Sequence, residues 1–224
     1  MKFKKIISFG FHLVISSFFL FFVTVAGRIL TKYFFDYETT GIYGYYFRLS
    51  AVVVLLYQVV SIRFFKDLYT RNSEILDTYF FYFISLIFML SIVVFFISPF
   101  IVPYFSTYFS DTYQANKLVF FVIFCQMTMW VASALHSSIV DREGLAKRNN
   151  IYFLLLFIVS TIFLILFKEE ITLLKLSFII YSIHYIANMT QILTLKKKNI
   201  FLKKSFYSLS IIYIICSLAT YFAA

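Results

Sequence analysis

Long apolar runs broken by short polar segments set the pattern of this chain. They cover residues 6–26, 42–62, 79–98, 118–140, 151–167, 176–195 and 205–222. At 1.5 Å per residue, about 20 apolar residues cross the roughly 30 Å hydrocarbon core of a bilayer, and each run is close to that length. Barrel strands would alternate with period two, and these runs do not. A helix satisfies its backbone amides internally, as hydrocarbon demands. The pattern therefore predicts an all-α, polytopic transmembrane bundle of about seven helices, in a single domain covering 1–224. The fifth run is the shortest. The first follows a basic MKFKK start, as a secretory signal would, but no small-residue cleavage site precedes Arg28, so it is read as a retained helix.

Composition agrees with a membrane setting: 62% of residues are hydrophobic and 13% charged, with a mean hydropathy of +0.90, against about 25% charged in an average soluble domain. The net charge of +10 follows from basic loops and calls for no nucleic acid partner. With the N-terminus inside, the inner segments hold Lys2, Lys4, Lys5, Arg63, Lys66, Arg71, Arg142, Lys147, Arg148, Lys196, Lys197, Lys198, Lys203 and Lys204. The outer segments hold only Arg28, Lys32, Lys117, Lys168 and Lys175, and Arg48 lies within a span. Cytoplasmic loops retain lysine and arginine, so a cytoplasmic N-terminus is predicted, with the basic loops against anionic headgroups of the membrane lipids.

Every loop is short, and no soluble domain, linker or internal repeat interrupts the runs, so function is expected within the helices. The segment PFIVPYFSTYFSDTYQAN reads as an outer loop with interfacial aromatics, Pro99 and Pro103 ending the third helix. Cys125 and Cys216 fall inside apolar runs without a CxxC or Cys/His cluster, so neither a metal site nor a disulfide is expected. Paired carboxylates within a span, a nucleophile elbow, HExxH and a phosphate-cradling glycine loop are all missing. The sequence thus points away from an enzyme and calls for no cofactor.

Polar side chains inside the spans are the candidates for function, because each is costly in hydrocarbon without a partner or water. Arg48 falls about two turns below the expected outer end of the second helix. Its long stem lets it either snorkel to the interface or line a polar cavity. Arg28, at the outer end of the first helix, reads first as a snorkelling residue. In the sixth helix Ser177, Tyr181, His184, Asn188 and Gln191 recur at helical spacing and share one face. The fourth helix carries a weaker stripe of Gln126, Trp130, Ser133 and Ser137, with His136 beside it. Such stripes either hydrogen-bond a neighbouring helix or line a water-filled path, and helix packing is the plainer reading. His12, with Ser8 and Ser16 one turn away on either side, reads as a structural histidine rather than a proton relay.

One stretch, RILTKYFFDYETTGIYGYYFRLS, resembles the region that opens the second half of the Wzx-type polysaccharide and O-antigen flippases, a branch of the multidrug/oligosaccharidyl-lipid/polysaccharide exporter superfamily. Arg28, Ile29, Leu30, Tyr33 and Phe34 match the end of that family's helix, Gly41, Ile42 and Tyr43 its Gly-Ile-Tyr turn, and Arg48 its following basic residue. IISFGFHL resembles the family's Phe-Gly-Leu-Pro entry, FFKDLYTRN its basic inner loop, and SPFIVPYFSTYFSDTYQA its proline and tyrosine loop. The likeness runs along residues 1–140 and departs in two places: Gly27 stands where the family usually has aspartate, and His12 replaces the proline. From residue 150 onward only the apolar helix pattern is shared.

The resemblance implies one lobe of a two-lobed transporter that flips undecaprenyl-pyrophosphate-linked oligosaccharide across the bacterial inner membrane. The other wall of the cavity would come from a separate N-terminal lobe or from a homodimer. Arg48 and Arg28 would then face the cavity and pair with the pyrophosphate, since guanidinium matches phosphate oxygens through two parallel hydrogen bonds. His184, Asn188, Gln191 and Gln126 are the further cavity candidates. Two other readings stay open: a membrane-embedded glycan polymerase or acyltransferase, against which the short outer loops speak, and a non-transporting remnant.

Overall fold

The computed structural model describes the backbone of residues 2–223 and, within them, all side chains except those of 2–6, 8, 9, 20, 23, 24, 56, 60 and 63–65. The side chains of Lys2, Lys4, Lys5, Ser8 and Arg63, named above, therefore lie outside the described residues. The described chain is helical throughout, with no strand: α1 (Lys2–Phe34), α2 (Tyr37–Ser50), α3 (Val52–Thr70), α4 (Ser73–Ile101), α5 (Thr107–Arg142), α6 (Ala146–Leu166), α7 (Leu173–Lys196) and α8 (Lys203–Ala223). Single 3-10 turns at Val102–Tyr104 and Lys168–Glu170 join α4 to α5 and α6 to α7. Among the described residues six segments are long and apolar enough to cross a membrane, and they coincide with the second to seventh runs. The first run lies in α1, where the described residues form one apolar segment, Gly10–Phe19.

Three boundaries differ from the sequence reading. The second run is divided at Ala51, a right-handed turn residue (φ −64, ψ −15) between α2 and α3, within the single spanning segment Tyr37–Val59. Pro99 does not end α4 but sits inside its last turn, where a missing N–H costs one bond, and the helix stops at Ile101. The expected outer loop is largely the first part of α5, which starts at Thr107 and bends at Asn116 (φ −124, ψ 18), whose side chain bonds back to the Thr112 carbonyl (3.1 Å).

The helix starts follow local chemistry. Asp36, Asn72 and Thr172 cap α2, α4 and α7 by accepting from the backbone N–H of Thr39, Glu74 and Lys175. After α5, Gly144 adopts φ +68, a left-handed conformation that lets the Leu145 N–H reach the Val140 carbonyl (2.9 Å).

The core is α5, buried from Val122 to Met129 without interruption and wrapped by α2, α3, α4, α7 and α8. The faces of α1, α4, α6 and α8 turned away from it carry exposed Phe, Ile, Leu and Val, as a lipid-facing surface requires. Asp77 on α4 docks α8: its carboxylate accepts from the N–H of Lys204 (2.8 Å) and Ser205 (2.9 Å) and from the Ser205 hydroxyl (2.7 Å). Asp77 stands near the start of α4 and was not singled out from sequence, because its burial depends on α8. Arg142 holds the α3–α4 turn by donating to the carbonyls of Leu68 and Arg71 (both 3.0 Å) and to the Ser73 hydroxyl (3.0 Å). Lys198 donates to the Glu143 carbonyl, and Lys204 reaches Thr78 (2.9 Å). The basic turns α3–α4, α5–α6 and α7–α8 are thereby gathered at one end of the bundle.

Candidate functional site: a two-arginine pocket beside a buried polar ladder

At the other end, the tight turn at Phe35 and Asp36 folds α2 back along α1. Hydrogen bonds from the backbone and side chain of Thr39 hold the Asp36 carboxyl below the usual carboxylate range, fixing the start of α2 as a charged cap. From there Tyr37, Gly41, Gly44, Tyr45 and Arg48 follow at steps of four, three, one and three, which places them on one helical face. That face, with Arg28 from α1 and Tyr108 from α5, lines a pocket of about 530 Å³. A Cβ built on Gly44 would meet nothing and one on Gly41 only the Tyr108 hydroxyl at 3.5 Å, so the pocket is open at Gly44.

Both arginines lie in this one pocket. The Arg28 guanidinium sits 4.4 Å from the centre of the Phe47 ring, an arrangement that orients it without neutralising it. Arg48 follows Phe47 directly and lies eleven residues into α2, about 16 Å along its axis, deeper than the two turns expected from sequence. No carboxylate lines the pocket. Among the described residues neither arginine forms an ion pair or a hydrogen bond. The result is two uncompensated guanidinium groups, each with five donors, set among tyrosines: the donor set for a multivalent oxyanion.

Gly27 makes this geometry possible. It is buried, and a Cβ there would come within 2.0 Å of the Tyr43 hydroxyl and 2.6 Å of its Cζ. Tyr43 therefore fills the place of the side chain that Gly27 lacks, and α1 and α2 close on each other where an aspartate would hold them apart. The hydroxyl of Tyr43 points on to Gln126 Oε1 of α5 (3.5 Å).

Gln126 begins the second polar feature, a ladder between α5 and α7. Its Nε2 donates to His184 Nε2 (3.3 Å). His136 Nδ1 donates to Asn188 Oδ1 (3.0 Å), and Asn188 Nδ2 donates to the carbonyls of Met129 and His184 (2.9 Å each). Gln191 Nε2 reaches the Ser133 carbonyl (3.1 Å) and the Ser137 hydroxyl (2.9 Å), and its Oε1 accepts from Ser133 (3.2 Å). Gln126, His184, Asn188 and Gln191 are all at most 1% exposed. These four side chains join helices, and ligand contact at the last three would require α5 and α7 to part. Gln126 alone also borders a cavity, a pocket of about 170 Å³ beside the α2–α3 break. Tyr181, at the outer part of the same stripe, turns to α8 and donates to the Ile212 carbonyl (3.4 Å).

Donor and acceptor roles fix the histidine tautomers. The Asn188 oxygen requires N–H at His136 Nδ1, and the Gln126 amide requires a lone pair at His184 Nε2. This leaves His136 Nε2 and His184 Nδ1 buried without partners. His12 differs again: its backbone carbonyl accepts from Asn150 Nδ2 (2.9 Å), and Ser16 donates to Asn150 Oδ1 (2.7 Å), so a residue of α6 that the sequence reading did not single out pins α1.

Sequence reasoning also missed Tyr37, Tyr45 and Tyr108. The first two were legible in the i, i+4, i+7, i+8, i+11 series that ends on Arg48, whereas Tyr108 lay in a segment read as loop. Groups of three or more His, Cys, Asp or Glu able to hold a metal do not occur among the described residues. Comparison with protein-family models, with characterised proteins and with solved structures finds no match to this chain.

Proposed function

We propose that the protein is one lobe of a transporter that flips undecaprenyl-pyrophosphate-linked oligosaccharide across the bacterial inner membrane, with its N-terminus in the cytoplasm. The observation that carries this reading is the pocket in which Arg28 and Arg48 meet without a carboxylate. A pyrophosphate brings at least two negative charges and several acceptor oxygens, and guanidinium groups engage such oxygens in pairs. Both side chains are exposed and without an ion-pair partner among the described residues, so a pyrophosphate can reach them directly and their combined positive charge favours it. The lipid tail of such a ligand stays beside the apolar outer faces of α1 and α3.

The gathering of the basic turns at the opposite end supports the orientation, since lysine and arginine are retained on the cytoplasmic side of membrane proteins. The resemblance of residues 28–50 to the flippase family suggests the ligand, and the two arginines of the pocket support a role in holding its charged group. Chemistry on the substrate is no part of this role: the arginines bind and orient, and movement of the lobe against a second wall carries the headgroup outward. That wall is a separate N-terminal lobe or a second copy of this chain.

The test is Arg48→Ala in the native host, with membrane insertion verified by fractionation. Accumulation of lipid-linked oligosaccharide on the inner leaflet is expected. Unchanged glycan export would sink the proposal.

A further inference from the structure

The two cysteines of the chain stand 91 positions apart, yet the Sγ atoms of Cys125 on α5 and Cys216 on α8 lie 2.8 Å from each other in the core. Both residues are at most 1% exposed. A disulfide bond of about 2.05 Å needs only about 0.8 Å of further approach, within the reach of small side-chain rotations. Their surroundings exclude charged oxidants: Cys125 lies in the uninterrupted buried stretch of α5, about 18 residues from either end of that helix. Beside Cys216, Ser217, Leu218 and Tyr221 line an apolar groove of about 600 Å³ between α6, α7 and α8, which gives a lipid-soluble reagent a path to this part of the bundle.

We propose that Cys125 and Cys216 are an intramembrane redox pair, oxidised to a disulfide by exchange with a small lipid-soluble disulfide. One cysteine loses its proton and its sulfur attacks a sulfur of the oxidant, releasing one thiolate that takes up that proton. The second cysteine, likewise deprotonated, attacks the mixed disulfide and releases the other thiol. The two cysteines are oxidised by two electrons, and the oxidant is reduced to two thiols.

The bond would change how α8 is held. In the dithiol form the polar tie of α8 to its neighbours at the inner end is the Asp77 cap around Ser205. Further along, Ser210, Ile212 and Tyr213 are tied to Tyr185, Tyr181 and Ser182 of α7, and a disulfide at Cys216, eleven residues beyond Ser205 and about 16 Å along the axis, adds a covalent anchor to α5. That anchor sits next to Gln126, the residue through which α5 contacts both His184 and Tyr43. Oxidation thus fixes α8 to the segment of α5 that carries Gln126 at the start of the polar ladder, and restrains any parting of α5 from its neighbours.

The experiment uses the full chain in detergent micelles, treated with 2,2′-dipyridyl disulfide, then denatured and examined by intact mass and by maleimide labelling. The expected product has lost the mass of two hydrogens, carries no pyridyl adduct, and falls from two labelled thiols to none, with both restored by dithiothreitol. Cys125→Ser and Cys216→Ser each leave one thiol, which must yield a pyridyl adduct and no internal bond. Two labelled thiols after treatment, pyridyl adducts on both cysteines, or a covalent dimer of the wild-type chain would each overturn the assignment.

Discussion

The Arg28 guanidinium on α1 lies 4.4 Å over the ring of Phe47 on α2, one residue before Arg48, so a contact between two helices brings both arginines to one pocket. Twenty residues separate the arginines in sequence, and neither is spaced from the other by any helical period. Their meeting depends on the turn at Asp36 and on the close approach of the two helices at Gly27.

That dependence yields the first prediction. Gly27→Ala places a Cβ against the Tyr43 ring, and overpacking of this kind costs about 1–3 kcal/mol. The variant is expected to melt earlier in detergent and to weaken binding of polyprenyl pyrophosphate. Adding Tyr43→Leu should restore most of the thermal stability, which a melting series of the single and double variants measures.

Arg28 and Arg48 should be separable. Arg48→Lys keeps the charge and loses the planar fork, so pyrophosphate affinity is expected to fall about tenfold, the equivalent of about 1.4 kcal/mol. Arg28→Lys, whose cation can remain over Phe47, should fall less. Titration of the two variants with farnesyl pyrophosphate compares them directly.

The α5–α7 ladder should act as structure. Asn188→Leu removes three hydrogen bonds and orphans the buried His136 Nδ1–H, while the carbonyls of Met129 and His184 keep their helical partners. Interhelical polar contacts in membranes average about 0.6 kcal/mol and reach about 1.7, and a network loss of about 2 kcal/mol is expected here. Equilibrium unfolding in mixed micelles checks it, and an unchanged midpoint would contradict the role.

At the opposite end, Asp77→Ala leaves the N–H groups of Lys204 and Ser205 without their acceptor. Hydrogen bonds to a charged group contribute about 1.5–3 kcal/mol. The expected outcome is early release of α8, seen as faster hydrogen exchange across residues 203–212 while α5 stays protected. Asp77→Asn, which keeps one carbonyl oxygen, should lie between the two.

The sequence carried the helical class, the placement of six spans and the shared face of His184, Asn188 and Gln191, because long apolar runs and helical periodicity are local properties. It also put Ser133 and Ser137 on a second stripe, though which stripe met which was settled by packing. The division at Ala51 escaped because it changes the backbone by one tightened turn inside an apolar run, which hydropathy does not register. The helical start of α5 escaped because STYFSDTYQAN is polar enough to read as loop, while its helix is held by the bundle. The union of Arg28 with Arg48, the Asp77 cap and the Ser16–Asn150 bond all join residues far apart in sequence, where no periodicity operates.

Binding of undecaprenyl-pyrophosphate disaccharide to the detergent-solubilised chain, followed by native mass spectrometry for the wild type, Arg28→Ala, Arg48→Ala and the double variant, tests the central claim most directly. A bound ligand in the wild type is expected, weakened at least tenfold in each single variant and lost in the double, with undecaprenol failing to compete. Equal ligand occupancy in all four proteins, or competition by undecaprenol as effective as by the pyrophosphate, would contradict it.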